Sequence, residues 1–557
     1  MPGEGLARAG LHGAACIIGL VTPPTRWPET RALRGLVASP HVLASRAGLA
    51  VLEGGGNAVD AALAAATTVA VVYPHMNGVG GDNFWLIHDG RRGALRALNG
   101  AGRAAAAATL ESYRARHGAA IPTRGGPAAL TVPGTVSGWW EAHTYSREVL
   151  GSPLAWASLL EDAIRHAREG FEASASQRRE TLDAPGLFDA GAPDEVRRTL
   201  WPIFHPERLE ERFRQEALGA TLEEIARDGA EAFYRGALAR RLAAGAAAAG
   251  SPLTLSDLAE HRADWVEPLR VPYRGGVATS FPPPTQGFAA LAILGMLDGF
   301  DVASLDEADY VHLIVEATKL AFEDRDRYLA DPAHVPVPVE RCLDPARLAR
   351  RRALIAGRAA LPVDGRPLGG DTIAIVTADA EGNAVSLIQS LYHEFGAAVV
   401  AGDTGVLLQN RGAFFSLDPS HPNRLAPRKR TAHTLIPSMY LVDGRPRLVY
   451  GTMGGEGQPQ TQAALVTRMV DRGLGPQAAV EAPRWLFGRT WGETTRALRM
   501  EDRFEPGVIA SLRARGHAVE VVEGWSDLMG HAQAIRIDAD GFAGGSDPRA
   551  DGAALGW

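Results

Sequence analysis

A layered α+β fold is predicted by two helix-rich stretches, a hairpin that follows them, and a hydrophobic content high enough for a large core. The chain has 557 residues, 46% of them hydrophobic, ample for an extensive buried interior. Its first half carries Ala/Leu-rich helical periodicity, and its last third carries short apolar strands separated by Gly and Asp turns. Helices first and strands after point to stacked layers rather than a regular βαβ series.

Residues 1–35 are expected as an N-terminal extension. HVLASRAGLAVLEGGGNAVDAALAAATTVAVV then reads as two helices broken at Gly54-Gly55-Gly56, and NFWLIHDG as a strand and turn. From about Ser152 to Arg358 the period is mostly helical, with FPPPTQG a turn before the helix AALAILGMLDGF. GRPLGGD, ending at Asp371, reads as a flexible loop. TIAIVTADAEGNAVSLIQSL follows as strand, turn at Glu381-Gly382-Asn383, and strand. IPSMYLVDG and RPRLVYGTMGG are further strands, and QTQAALVTRMVDRG is a helix.

Several function classes are disfavoured at once. The net charge is −7 with no long basic run, which argues against a phosphate-tracking surface and nucleic acid. Cys16 and Cys342 stand alone, with no His/Cys cluster, so no metal or cofactor is expected. Two distant cysteines suit a reducing compartment, and the cytoplasm is the expected location. Secretion is the alternative: Ala14–Val21 is an apolar run behind Arg8, but Glu4 spoils the basic leader. No run reaches the roughly 18 apolar residues of a membrane span. Gly78-Val79-Gly80-Gly81-Asp82-Asn83 has the look of a dinucleotide loop. Asn83 replaces its third glycine and a strand follows, so no helix N-terminus awaits a pyrophosphate.

GGDTIAIVTADAEGNAVSLIQSLYHEFGAAVVAGDTGVLLQNRGAFFS, YGTMGGEGQ and GGSDPRADGAALG resemble the small-subunit region of the gamma-glutamyltranspeptidase family. HVLASRAGLAVLEGGGNAVDAALAAA, YPHMNGVGGDNFWLIHDG, LTLSDLAEHRADWVEPL and FPPPTQGFAALAILGMLDGFD resemble its large subunit. The resemblance runs from about Gly35 to the end. It implies a four-layer αββα N-terminal-nucleophile hydrolase sandwich. It also implies a precursor cut between Asp371 and Thr372, giving a large subunit over 36–371 behind the extension and a small catalytic subunit over 372–557. The fragments are then each other's partners, as one heterodimer or a dimer of heterodimers, with a small-molecule amide as substrate and neither nucleic acid nor membrane.

The chemistry of a chain-initial threonine is self-contained. A hydroxyl is a weak nucleophile and needs a base. A free α-amino group titrates near pH 7.7–8.0 and can take the hydroxyl proton. The resemblance assigns that role to Thr372. Ser390, 18 residues on, falls where the family has a Thr hydroxyl bonded to the nucleophile. Gly454-Gly455 falls on the oxyanion pair, where glycines let two N–H groups approach closely.

The acyl pocket departs from the family. The family's carboxylate-binding Arg position falls on Ala101, with Arg103 nearby. Its acidic residue for the α-amino group falls on Phe414, its paired serines on His433-Thr434, and an Asn on Tyr392. Arg411 stands where Gln or Glu is common. An acid replaced by Phe leaves an ammonium unpaired, so a free α-amino group is not received in the usual way. Arg411 and His433 can instead clamp a carboxylate or oxo group, or serve as a structural ion pair and a core histidine. The short loop SLDPSHPNRLAPRKR suggests an open pocket and hydrolysis over transfer. The pattern is closest to acylase-like and oxamate-amidohydrolase-like branches, with γ-glutamyl, glutaryl-type and oxamate-type substrates all open. An uncleaved, non-catalytic binding partner is the alternative from another class.

Overall fold

The computed structural model describes residues 25–184, 186–359, 371–488 and 495–557. The apolar run Ala14–Val21 and the loop 365–370 lie outside the described residues.

Two seven-stranded sheets dominate. The first runs, edge to edge, Thr30–Ala32, Gly541–Ser546, Ala532–Asp538, Arg445–Thr452, Ser438–Val442, Gly276–Ser280 and Leu269–Tyr273. The second runs Ala553–Gly556, Gly35–Ser39, Asp371–Asp379, Ala384–Tyr392, Asp82–Asp89, Ala94–Asn99 and Asp264–Val266. Neighbours in both are antiparallel. Leu36, Phe84, Leu86, Val376, Ile388, Met439, Val449 and Ile535 form one buried cluster where the inner faces meet. Each outer face is covered by helices, which completes the αββα layering expected from the sequence.

The covering helices explain the composition. Ala58–Val72 is buried along its whole length, as an all-round apolar helix must be. Asn57 caps it, accepting from Val59 and Asp60 N–H while the Asp60 carboxylate accepts from Asn57 N–H. The paired helix Val42–Glu53 ends at Gly54, as read from the glycine run. On the other side, Gly287–Leu297, Glu307–Tyr328 and Gln458–Val470 share a second core. No described helix is long and apolar enough to cross a membrane.

Two expectations change. The order is not helices then strands, because three strands lie between residues 264 and 280. Two of them form a tight hairpin at Arg274-Gly275, both at positive φ (45° and 77°), which is the mirror-image turn that suits strand twist. The end of the expected extension is also built into the fold. Arg26 and Trp27 N–H groups donate to Glu481, and Thr30–Ala32 closes a sheet edge.

Candidate functional site

Thr372 lies at the second position of its strand, where the ladder to Ala384–Tyr392 slips. Asp371 pairs with Tyr392, but Ile373 pairs with Gln389. A bulge of this kind re-aims one side chain. Thr372 is fully buried, and its Oγ1 donates to Ser390 Oγ at 3.4 Å. Ser390 Oγ also accepts from Tyr392 N–H at 2.8 Å. Tyr392 holds φ of +88°, a conformation a bulky residue keeps only when its surroundings impose it.

Arg411 is the hub. Its guanidinium donates to Ser390 Oγ (3.5 Å) and Thr434 Oγ1 (3.3 Å) and lies 4.1 Å from the Tyr392 ring centre. It is 1% exposed. Among the described residues it makes no ion pair, and its Nε lacks a hydrogen-bond partner, so the structural ion pair is not what holds it. Burial, set against the charges of Tyr392 and Asp82, draws its pKa down to about 10. His433 is buried at 3.3 Å from Asp82, and its Nδ1 is likewise unpartnered. Burial, and then Arg411, hold it far below the usual imidazole range, so it is neutral. Phe414 packs edge-on to Tyr392, within a small cluster with Phe288, Leu329, Cys342 and Ala432.

Gly454 and Gly455 follow the strand Arg445–Thr452 with φ of +121° and +51°. Gln286, from the FPPPTQG turn, ties them to the rest. Its Nε2 donates to Gly455 O (2.9 Å) and Thr434 O (3.0 Å). Hydrogen bonds therefore run from Thr372 through Ser390, Arg411, Thr434 and Gln286 to Gly455.

Sequence reasoning missed Gln286 and Asp82. Asp82 pairs directly with Ser390 across the strands. The glycines before it serve packing: a Cβ on Gly81 would sit 2.2 Å from Ser390 O, and one on Gly80 2.1 Å from Leu407 O. The signal was an acid closing a glycine run at the start of a strand with the apolar centre Phe84–Ile87. Asp82 accepts from Gly102 N–H and Gln409 Nε2, both at 2.9 Å. Burial nonetheless pushes its carboxyl up to about 6, opposed by those bonds and by Arg411 and Arg430. The folded chain thus holds this proton more tightly than the unfolded chain, and raising pH from about 4 to about 6 costs the fold stability. Asp82→Asn removes that titration. The difference in Tm between variant and wild type should change across this window and stay constant above it, by an amount equivalent to roughly 2–3 kcal/mol.

Ala101 is buried, and its carbonyl accepts from Arg430. Arg103 turns to Asp264 and Asp331 at 3.7 and 3.9 Å, half-exposed. The short 416–430 loop suggests an open pocket, and among the described residues the site side chains are covered. In the continuous chain Thr372, Ser390, Arg411, His433 and Thr434 are each at most 1% exposed. The loop folds onto itself instead, with Lys429 Nζ donating to the Pro422 and Arg424 carbonyls.

The sequence model of the family described as Gamma-glutamyltranspeptidase matches residues 44–557. The glutathione hydrolase-like YwrD proenzyme of Bacillus subtilis is 47% identical over 528 residues, covering 94% of this chain and 98% of its own. The oxamate amidohydrolase proenzyme of Klebsiella pneumoniae is 48% identical over 526 residues, with the same coverage. A crystal structure of cephalosporin acylase from Bacillus halodurans superposes with a TM-score of 0.88 at 38% identity, covering 96% of this chain and 98% of that one. Alike in sequence and in layering, the chain belongs to the gamma-glutamyltranspeptidase family of amide-hydrolysing enzymes.

Proposed function

We propose that this chain cuts itself between Asp371 and Thr372 and that Thr372 then hydrolyses amides through an acyl-threonine ester. The observation that carries this is Thr372 Oγ1 bonded to Ser390 Oγ on a bulged, buried strand end. The freed α-amino group takes the hydroxyl proton as Oγ1 adds to the substrate carbonyl carbon. The N–H groups of Gly454 and Gly455 stabilise the oxyanion. The amine leaves with the proton, and water then releases the acid. The fragments are 1–371, including the N-terminal segment, and 372–557, held together after the cut.

The acyl group is proposed to be small and to carry a carboxylate or second carbonyl, received by the donors of Arg411 and Thr434, with neutral His433, its Nε2 turned to Asp82, lining the pocket. A buried donor without a protein partner, Arg411 Nε, supports a ligand that accepts a hydrogen bond there. Phe414 and Tyr392 form the apolar wall. The relative named oxamate amidohydrolase supports the same substrate class, and the relative named acylase supports an acylase-type alternative, for which a glutaryl-type acyl group is our proposal.

A denaturing gel should show two pieces, the larger about twice the smaller, and N-terminal sequencing of the smaller should begin Thr-Ile-Ala-Ile. Processed enzyme should favour oxamate or glutaryl amides over γ-glutamyl amides. A whole chain that nonetheless hydrolyses amides, or a marked γ-glutamyl preference, overturns the respective half of this reading. A whole and inactive chain would instead favour the non-catalytic binding partner.

A further inference from the structure

Away from Thr372, three metal-ligating side chains converge among the described residues: His312, Glu316 and His517. All are buried, and one ligand atom from each lies within 4.8 Å of the others. His312 and Glu316 are one turn apart on the helix Glu307–Tyr328, so they share a face. His517 comes from the turn after the helix Pro506–Ala514, beyond Gly516 at φ +100°.

The hydrogen bonding prepares the two imidazoles. His312 Nε2 lies 2.7 Å from Ala356 O. A carbonyl only accepts, so Nε2 carries the proton and Nδ1 presents its lone pair. Nδ1 points at His517 Nε2, 2.8 Å away. A ligand histidine anchored through its other nitrogen to a backbone carbonyl is the usual outer-shell arrangement of a metal site. Glu316 supplies the charge that two neutral imidazoles lack. Its Oε1 accepts from Lys319 Nζ at 2.6 Å, a cation in the place where a metal would compete.

We propose that His312 Nδ1, His517 Nε2 and the Glu316 carboxylate form a binding site for a divalent ion of the zinc class. Two imidazoles and one carboxylate suit zinc, with a fourth position for water. Tetrahedral ligands at about 2.0–2.1 Å stand about 3.4 Å apart, so the two nitrogens separate by roughly half an ångström on binding. The proton His517 Nε2 lends to His312 moves to Nδ1 or to solvent as the metal enters. If the cut proposed above is correct, the ion joins the two fragments, since Glu316 and His517 fall on opposite sides of it.

Chelator-stripped full-length protein, titrated with Zn²⁺ alone against a chromophoric chelator, should bind one ion per chain. Co²⁺ in its place should give visible d–d bands of a four-coordinate centre. His312→Ala and His517→Ala should each weaken binding beyond the about 10–100-fold typical of outer-shell changes. Lys319→Met should tighten it, an outcome that misfolding does not produce. Thr372→Ala should bind zinc as wild type does, so failure of the cut and failure of the site are read separately. Binding weaker than micromolar in wild type, or equal binding by wild type and His517→Ala, overturns the proposal.

Discussion

Thr372→Ala should run as a single band on a denaturing gel and lose at least about 10⁴-fold in amide hydrolysis, the scale of deleting a nucleophile that works as one unit with its base. The loss has two sources on the proposed mechanism. The hydroxyl that attacks is gone, and the α-amine that activates it stays locked in a peptide bond. The fold should persist, because the substitution removes a hydroxyl and a methyl from a strand whose ladder is backbone to backbone. Far-ultraviolet circular dichroism and Tm check that. Thr372→Ser separates the sources. It keeps nucleophile and cut but frees χ1, so it should process and turn over more slowly. Two pieces from Thr372→Ala would sink the mechanism.

Arg411→Met should lower kcat/KM by about 10²–10³ for anionic or oxo-acyl amides, the worth of one or two charge-assisted hydrogen bonds. For an amide with an uncharged alkyl acyl group the loss should stay within about tenfold. That contrast is the measurement, because a purely structural Arg411 would depress both substrates alike. Arg411→Lys should recover little. A point charge cannot bridge Ser390 and Thr434 while lying flat on Tyr392, as the planar guanidinium does. Thermal denaturation should show some destabilisation in Arg411→Met, since Asp82 loses a nearby cation that Arg411→Lys retains.

Much of this was legible before any coordinates. Ala58–Val72 announces itself through Asn57, Asp60 and an unbroken apolar run, and the hairpin around Glu381-Gly382-Asn383 through its turn residues. Thr372 and Ser390 were paired through the family resemblance, and the hairpin that carries both brings their hydroxyls to 3.4 Å. What stayed hidden depends on long-range closure. Asp82 meets Ser390 only after distant segments pair, and its glycines imitate a phosphate loop when read locally. Gln286 reaches Gly455 across 169 positions. His312 and His517 are 205 apart, beyond any ligand-spacing motif. The strand Gly276–Ser280 escaped because it is short and sits among helices.

The strand order in the two sheets carries a consequence for assembly. In the second sheet Gly35–Ser39 is flanked by Ala553–Gly556 and Asp371–Asp379, and Asp82–Asp89 lies beside Ala384–Tyr392. In the first, Thr30–Ala32 and Gly276–Ser280 bracket four strands from beyond residue 371. Segments from either side of position 371 are thus laced through one another like the fingers of clasped hands. A nick there leaves no seam along which the halves can part, so nicked molecules should not trade fragments in solution. Separately produced halves should regain activity only by folding together, never by docking as finished pieces.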